Sequence, residues 1–282
     1  MLTDNDLTDK NIIAKIKVIY QGNYGIDNTK TVEMVLKDII DLFDGRRTGF
    51  KKCDVIYHDI YHTLHTIPPF LEIIDGWNKS GNSPRISKEC FDLGIIAVLL
   101  HDTGYIITED DEVGTGAKYT FVHIQRSIDF TNQYLRQAGF CEHNIVIIQN
   151  AIKCTGVNFS PENINFSSEE EQVIGYTLGT ADLLGQMSSP DYPRKLPLLF
   201  KEFEEAYHFE GMEKLIGMGV TLFNDADELV KNTQYFYEKV VMDRFLKMGS
   251  KHKYLTYHFG TLNNPYIEAI EENIRKIQSI SS

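Results

Sequence analysis

Apolar residues recur at three- and four-residue steps along most of this chain, and little of it alternates with the period of a strand. With 3.6 residues per turn, positions i, i+3, i+4 and i+7 share one helix face, so this spacing predicts an all-α fold. Over Thr31 to Phe43 the residues Val32, Val35, Leu36, Ile39 and Ile40 form such a face, and Gly45 with Arg46-Arg47 supplies the stop. A second helix is expected from near Tyr57 to Trp77, broken at Pro68-Pro69, because proline removes a donor and crowds the preceding turn. Ser87 suits the N-cap of a helix carrying Cys90 to His101, with Gly104 at its end. Further helices are expected over Tyr119 to Gln137, closed by Gly139, and over Asn144 to Cys154. Ser167-Ser168-Glu169-Glu170-Glu171 is a capped, acid-rich start for the helix carrying Asp182. Pro190 and Pro193 then separate this core from helices at Leu196 to His208, Leu222 to Met248 and Tyr266 to Ile280. The loops Glu109 to Lys118 and Gly156 to Phe166 are expected to be flexible.

At 282 residues and 42% hydrophobic the chain can bury a full core, and we read residues 1–282 as one helical domain. A formal charge of -12 disfavours a nucleic-acid polymer or an anionic membrane surface as partner, since either is repelled at long range. A small anionic substrate is compatible with that charge, because a bound metal inverts the local field. Cys53, Cys90, Cys141 and Cys154 form no C-x-x-C pair, which points away from a zinc ribbon or a disulfide framework and towards reduced thiols. The first residues show no basic segment followed by an apolar one, and no apolar stretch approaches membrane-spanning length. A cytoplasmic protein is expected; the oligomeric state is not legible.

The chemistry-bearing feature is His101-Asp102, which ends the apolar run Gly94 to Leu100, with His58-Asp59-Ile60-Tyr61-His62 about forty residues upstream. Imidazole and carboxylate together bind borderline and hard divalent ions, and a carboxylate can bridge two of them. His58, His62 and His65 fall at i, i+4 and i+7 and would project from one face of a helix. Asp182 is a lone acid within Leu178-Gly179-Thr180-Ala181-Asp182-Leu183-Leu184, and a buried charge there needs a partner or a metal. His-Asp alone occurs by chance in many chains; the ordered set carries the reading.

That set, with the apolar run before His-Asp, Gly104 two residues after it and the Thr-Ala-Asp-Leu segment, resembles the HD-domain superfamily of metal-dependent phosphohydrolases over residues 54 to 187. His123-x-x-x-Ser127 through Gly139 to Ala151-Ile152 looks like the middle helices of bacterial members. Within the superfamily, Tyr57-His58-Asp59-Ile60-Tyr61-His62 is similar to the Tyr-His-Asn-x-x-His motif of class I cyclic-nucleotide phosphodiesterases. The resemblance implies an HD-domain helical bundle with core 54–187, an N-terminal helix at 30–44 and a C-terminal helical extension at 191–282. It implies that His62, His101, Asp102 and Asp182 hold a tighter ion (Fe, Mn or Zn), that Asp102 bridges to a second (Mg or Mn), and that His58 is the general acid. The implied activity is a metal-dependent phosphohydrolase, a phosphodiesterase acting on a small phosphoester or nucleotide. Two ions can bind phosphoryl oxygens and lower the pKa of a shared water, and the departing alkoxide needs the proton that His58 would give.

The chain departs from those patterns in places. Asp59 stands where the motif has Asn, a charge that could raise the pKa of a neighbouring imidazole. No counterpart of the base-holding C-terminal glutamine segment is found, the Gly-Tyr-Pro signature of cyclic di-nucleotide members is absent, and Thr103-Gly104-Tyr105 follows His-Asp where those members usually have a lysine. His123 lacks a second histidine after the next helix, where the chain reads Ala151-Ile152-Lys153-Cys154-Thr155. Either Cys154 replaces it as a thiolate, or a second ion rests on Asp102 and water. Lys118, Arg126, Lys153, Arg194 and Lys195 include the candidate phosphate clamps, Lys118 and Lys153 lying closest in sequence to the inferred pocket. His123 is as well read as a surface histidine, Cys154 as a buried thiol, and the stripe Phe200, Phe203, Tyr207 as core or pocket wall. Two rival functions remain: an HD-type di-iron oxygenase, which needs a richer histidine set, and an HD domain that senses a nucleotide without turning it over.

Overall fold

The computed structural model describes residues 6–156, 160–217 and 219–280. Among them the fold is all-α, as the periodicity predicts; the only β pairing is an isolated bridge between Phe50 and Thr108. No helix among the described residues is long and apolar enough to cross a membrane.

The chain opens with α1 (Asp9–Tyr24), which the sequence reading passed over. Thr8 caps it through its hydroxyl, and Ile12, Ile16, Ile19 and Tyr20 bury one face. Then come α2 (Lys30–Phe43), α3 (Ile60–Lys79) and α4 (Lys88–Leu100), the last capped by Ser87 as expected. After them follow α5 (His123–Gln137), α6 (Glu142–Lys153) and α7 (Glu169–Ser188). Ser168 caps α7, and Glu171 reaches back to the Ser167 amide at 2.9 Å, a local variant of the capping box. The C-terminal helices are α8 (Tyr192–Glu210), α9 (Met212–Gly217), α10 (Ala226–Tyr235), α11 (Met242–Lys247), α12 (Leu255–Phe259) and α13 (Pro265–Ile280).

Helices α3, α4 and α7 form the centre. α3 lies along α7, and nearly every residue of α3 from His62 to Asn78 is buried. One apolar cluster joins α1 to α7; a second surrounds the remaining face of α7 with side chains of α8, α10, α11 and α13. Between them these clusters bury nearly the whole of α7, so Asp182 is carried into the interior.

Several expectations change. α3 is continuous through Pro68 and Pro69, because a helix buried on all sides is held by its neighbours and not by its own hydrogen-bond ladder alone. It starts at Ile60, so Tyr57 and His58 precede it. Pro193 lies in the first turn of α8, where its missing N–H costs nothing. The helix foreseen over Leu222 to Met248 begins at Ala226 and carries a π turn at Phe236–Val241. The stretch Tyr119 to Gln137 is helical from His123, after a 3-10 turn at Gly116–Tyr119. The loop Glu109 to Lys118 is pinned: Glu205 accepts from the Thr115 amide and hydroxyl (2.5 and 2.6 Å), and Asp54 from the Gly116 amide at 3.0 Å. In the loop Gly156 to Phe166, residues 157–159 lie outside the described residues.

Candidate metal centre

Two helix ends and one helix middle converge. Asp59 is the N-cap of α3: its carboxylate accepts from the His62 amide at 2.9 Å, which places the His62 side chain in the first turn, facing inward. Asn and Asp are about equally good caps, so an acid at this position suits the helix start as well as an Asn would. His101 follows the last residue of α4, where its Nδ1–H donates to the Val98 carbonyl at 2.7 Å and leaves Nε2 pointing into the site. Asp102 follows it, and Asp182 comes from the middle of α7.

His62 Nε2 lies 3.2 Å from Asp102 Oδ2 and 3.1 Å from Asp182 Oδ1, and His101 Nε2 lies 3.3 and 3.7 Å from the same two oxygens. Ligand atoms of His62, His101 and Asp102 all fall within 4.8 Å of one another. His101 Nε2, Asp102 Oδ2 and Asp182 Oδ1 are buried without a hydrogen-bond partner among the described residues. Orphaned polar atoms of this kind are costly unless something fills the space between them. Two imidazoles and two carboxylates suit Fe, Mn or Zn.

The electrostatics agree. Burial works against charge on Asp102 and Asp182, yet both carboxyls are held far below the usual range, Asp102 mainly by His101 and Asp182 by His101 and His62. Burial also opposes charge on His101, and Asp102 outweighs it, holding that imidazole well above its ordinary pKa. Two ionised carboxylates thus draw positive charge into the cluster, which a divalent cation would supply directly.

His58 stands beside this cluster, outside the helix. Its ring centroid is 5.2 Å from that of His62, and its Nδ1–H donates to Glu202 Oε2 at 2.6 Å. Glu202 Oε1 also accepts from the Tyr57 amide (2.5 Å) and, at 3.3 Å, from the His58 amide, so one carboxylate of α8 fixes both the bend that leads into α3 and the ring. Burial lowers the basicity of His58, and Glu202 more than reverses it, with Asp102 and Asp182 adding, so the net shift is upward. The foreseen perturber, Asp59, is occupied with capping. Glu202 escapes a reading by sequence. Its mark is faint: an acid placed between Leu199 and Ala206 on the face of α8 that packs inward.

Tyr105 is the other unforeseen member. Its ring is stacked on His58 (4.6 Å, 11°) and on His123 (4.7 Å, 22°). Gly104 makes this crowding feasible, since a Cβ there would sit 2.0 Å from the His123 carbonyl oxygen, and its amide donates to Ser127 Oγ at 2.8 Å. His123 donates from Nδ1 to the Thr120 carbonyl (2.5 Å), and its Nε2 is 3.8 Å from Asp102 Oδ1. The two oxygens of Asp102 therefore face different imidazole sets.

The remaining candidates lie elsewhere or are engaged. Lys118 is buried, with its ammonium on Asp111 and the Val113 carbonyl. Lys153 donates to Asn150 Oδ1 at 2.9 Å, at the end of α6. Cys154 is fully buried with its thiol towards the Asn150 carbonyl, and burial pushes its pKa up to about 12, which disfavours a thiolate ligand. Arg126 holds the carbonyls of Gly104 and Ile106 at 2.7 and 3.0 Å, and Arg194 pairs with Asp191 at 2.8 Å.

The phosphodiesterase domain of the rhodopsin phosphodiesterase from the choanoflagellate Salpingoeca rosetta shares the fold in two crystal structures. One superposes with a TM-score of 0.55 at 14% identity, covering 99% of this chain and 90% of that domain. The other gives 0.56 at 15%, covering 99% and 92%. No curated protein matches the sequence. The Npun_R2479-like family model matches residues 2–263, and the chain belongs to that family.

Proposed function

We propose that this chain is an HD-type, metal-dependent phosphodiesterase acting on a small phosphoester or nucleotide. One observation carries the reading: the orphaned atoms of His101, Asp102 and Asp182 converge with His62, and a carboxylate-held imidazole, His58, stands at their edge. The fold shared with phosphodiesterase domains supports it.

In this reading His62, His101, Asp102 and Asp182 would hold one divalent ion, and Asp102 with His123 would help to hold a second. Bound ions supply Lewis acidity towards phosphoryl oxygens and a water of lowered pKa. The protein's own residues do the rest. Glu202 orients His58 and stabilises its imidazolium, so that the opposite ring nitrogen can deliver a proton to the departing oxygen. Tyr105 keeps the ring plane by stacking. The buried walls of α3, α4 and α7 keep bulk water from the carboxylates, which strengthens their hold on positive charge.

The test is metal analysis of the purified protein, then a phosphoester panel with added Fe, Mn, Zn and Mg. Asp102→Ala should lose both metal and turnover; full metal content in that variant overturns the assignment. Substrate-dependent oxygen uptake by iron-loaded protein would move the reading to an oxygenase. Tight nucleotide binding without product in Mg²⁺ or Mn²⁺ would move it to a sensor.

A further inference from the structure

On the side of α7 and α8, His62 and His65 form the floor of a small, partly open recess whose rim carries Tyr57, Gln186, Ser189, Tyr192 and Lys195. Of the five basic residues singled out as phosphate clamps, four are engaged: Lys118, Arg126, Lys153 and Arg194 each hold a carboxylate, amide or carbonyl oxygen. The fifth, Lys195, is half-buried on the rim of the recess, and its ammonium makes no hydrogen bond or ion pair among the described residues. It does not serve its own helix either, since a cation in the first turn of α8 runs against the helix dipole.

Two other rim residues carry donors as well. The Tyr57 hydroxyl donates to Gln186 Oε1 at 2.9 Å, which leaves the Gln186 amide hydrogens for a ligand. The Tyr192 side chain is 5% exposed, and its hydroxyl finds no partner among the described residues. With an unpaired ammonium, an amide N–H₂ and a phenol on its rim, and the carboxylates of Asp102 and Asp182 screened behind His62, the recess suits an anion.

We propose that this recess binds a second anionic group of the substrate, a phosphate or a carboxylate, with Lys195 as its principal contact. The inference rests on the phosphodiesterase reading for the word substrate. It narrows the class to phosphoesters that carry a further negative charge next to the scissile group. The chain's net charge of -12 repels such molecules at long range, so a cation lining the same recess as His62 has a clear task.

Three inert phosphonates test it by calorimetry on metal-loaded protein: propylphosphonate, 3-phosphonopropionate and propane-1,3-bisphosphonate. The wild type should bind at least one of the doubly anionic probes about tenfold tighter than propylphosphonate, as one charge-assisted contact implies. Which probe gains identifies the group as carboxylate or phosphate. Lys195→Met should abolish the gain, Lys195→Glu should reverse it, and His58→Ala should leave it intact; metal content and near-ultraviolet dichroism check that each variant is folded. Equal binding of all three probes by the wild type, or a gain that survives Lys195→Met, overturns the proposal. Absence of phosphoester turnover with the gain intact would count against the phosphodiesterase reading alone.

Discussion

Two buried polar clusters share helix α3 and are built to opposite ends. Towards its C-terminal end, Glu72 and Asp75 are 5% and 3% exposed, and all four carboxylate oxygens are matched. Lys15 (2.5 Å) and the Tyr266 hydroxyl (2.7 Å) meet Glu72. Asn23 (2.8 Å), Lys79 (2.6 Å) and His258 (2.5 Å) meet Asp75. This cluster ties α1, α12 and α13 to α3 and has nothing left to offer a ligand. At the N-terminal end, the carboxylates around His62 keep oxygens that no protein donor satisfies. Equal burial therefore separates a structural network from a binding site only when the partners are counted.

Substitutions at the two ends should separate them. Asp102→Ala should lower turnover by more than about 10³-fold with loss of metal, because it removes the oxygens on which two ions would depend; atomic emission and a phosphoester assay read both. His58→Ala should keep its metal while kcat falls about 10²- to 10³-fold, and an equal loss of metal would mean that His58 is a ligand. Glu72→Gln should do the reverse of Asp102→Ala. Metal content stays, while denaturant unfolding shows a loss of about 3 kcal/mol, the low end for a broken buried pair because the Lys15 side chain is 34% exposed.

The smallest effect is on acid stability. Burial pushes the Asp75 carboxyl up, but His258, Lys79 and Asn23 more than reverse this and hold it below the ordinary value. A depressed folded-state pKa means a stabilisation fully present above the unfolded-state value of about 3.9 and lost as pH falls through the folded-state value. Asp75→Asn should accordingly flatten the stability profile below about pH 4 and leave its shape at neutral pH unchanged. A profile identical to wild type in acid would show that Asp75 is not differentially protonated.

The four clustered residues were legible because each carries a mark within its own segment: His62 and His101-Asp102 by their motifs, and Asp182 as one acid among small and apolar residues. The all-α class was legible from periodicity for the same local reason. Glu202 was not, since it meets His58 across 144 residues and looks like one of several acids in Lys201-Glu202-Phe203-Glu204-Glu205. Tyr105 was seen only as a departure from a motif, because ring stacking depends on how α5 docks. His58 was placed on a helix face because the cap at Asp59 begins the helix two residues later than the histidine spacing implies. The prolines of α3 misled in the other direction: their cost is local and visible, and the packing that overrides it is neither.

Gly185 sits one turn from Asp182 on α7, as His65 does from His62 on α3, and a Cβ at Gly185 would stand 2.7 Å from the His65 carbonyl oxygen. That crossing acts as a caliper. It sets the gap between the helices that carry His62 and Asp182, so on the proposed reading a residue that touches neither would tune the size of ion they accept. Gly185→Ala would open the jaws by a fraction of an ångström, and selectivity should drift towards larger cations before affinity is lost.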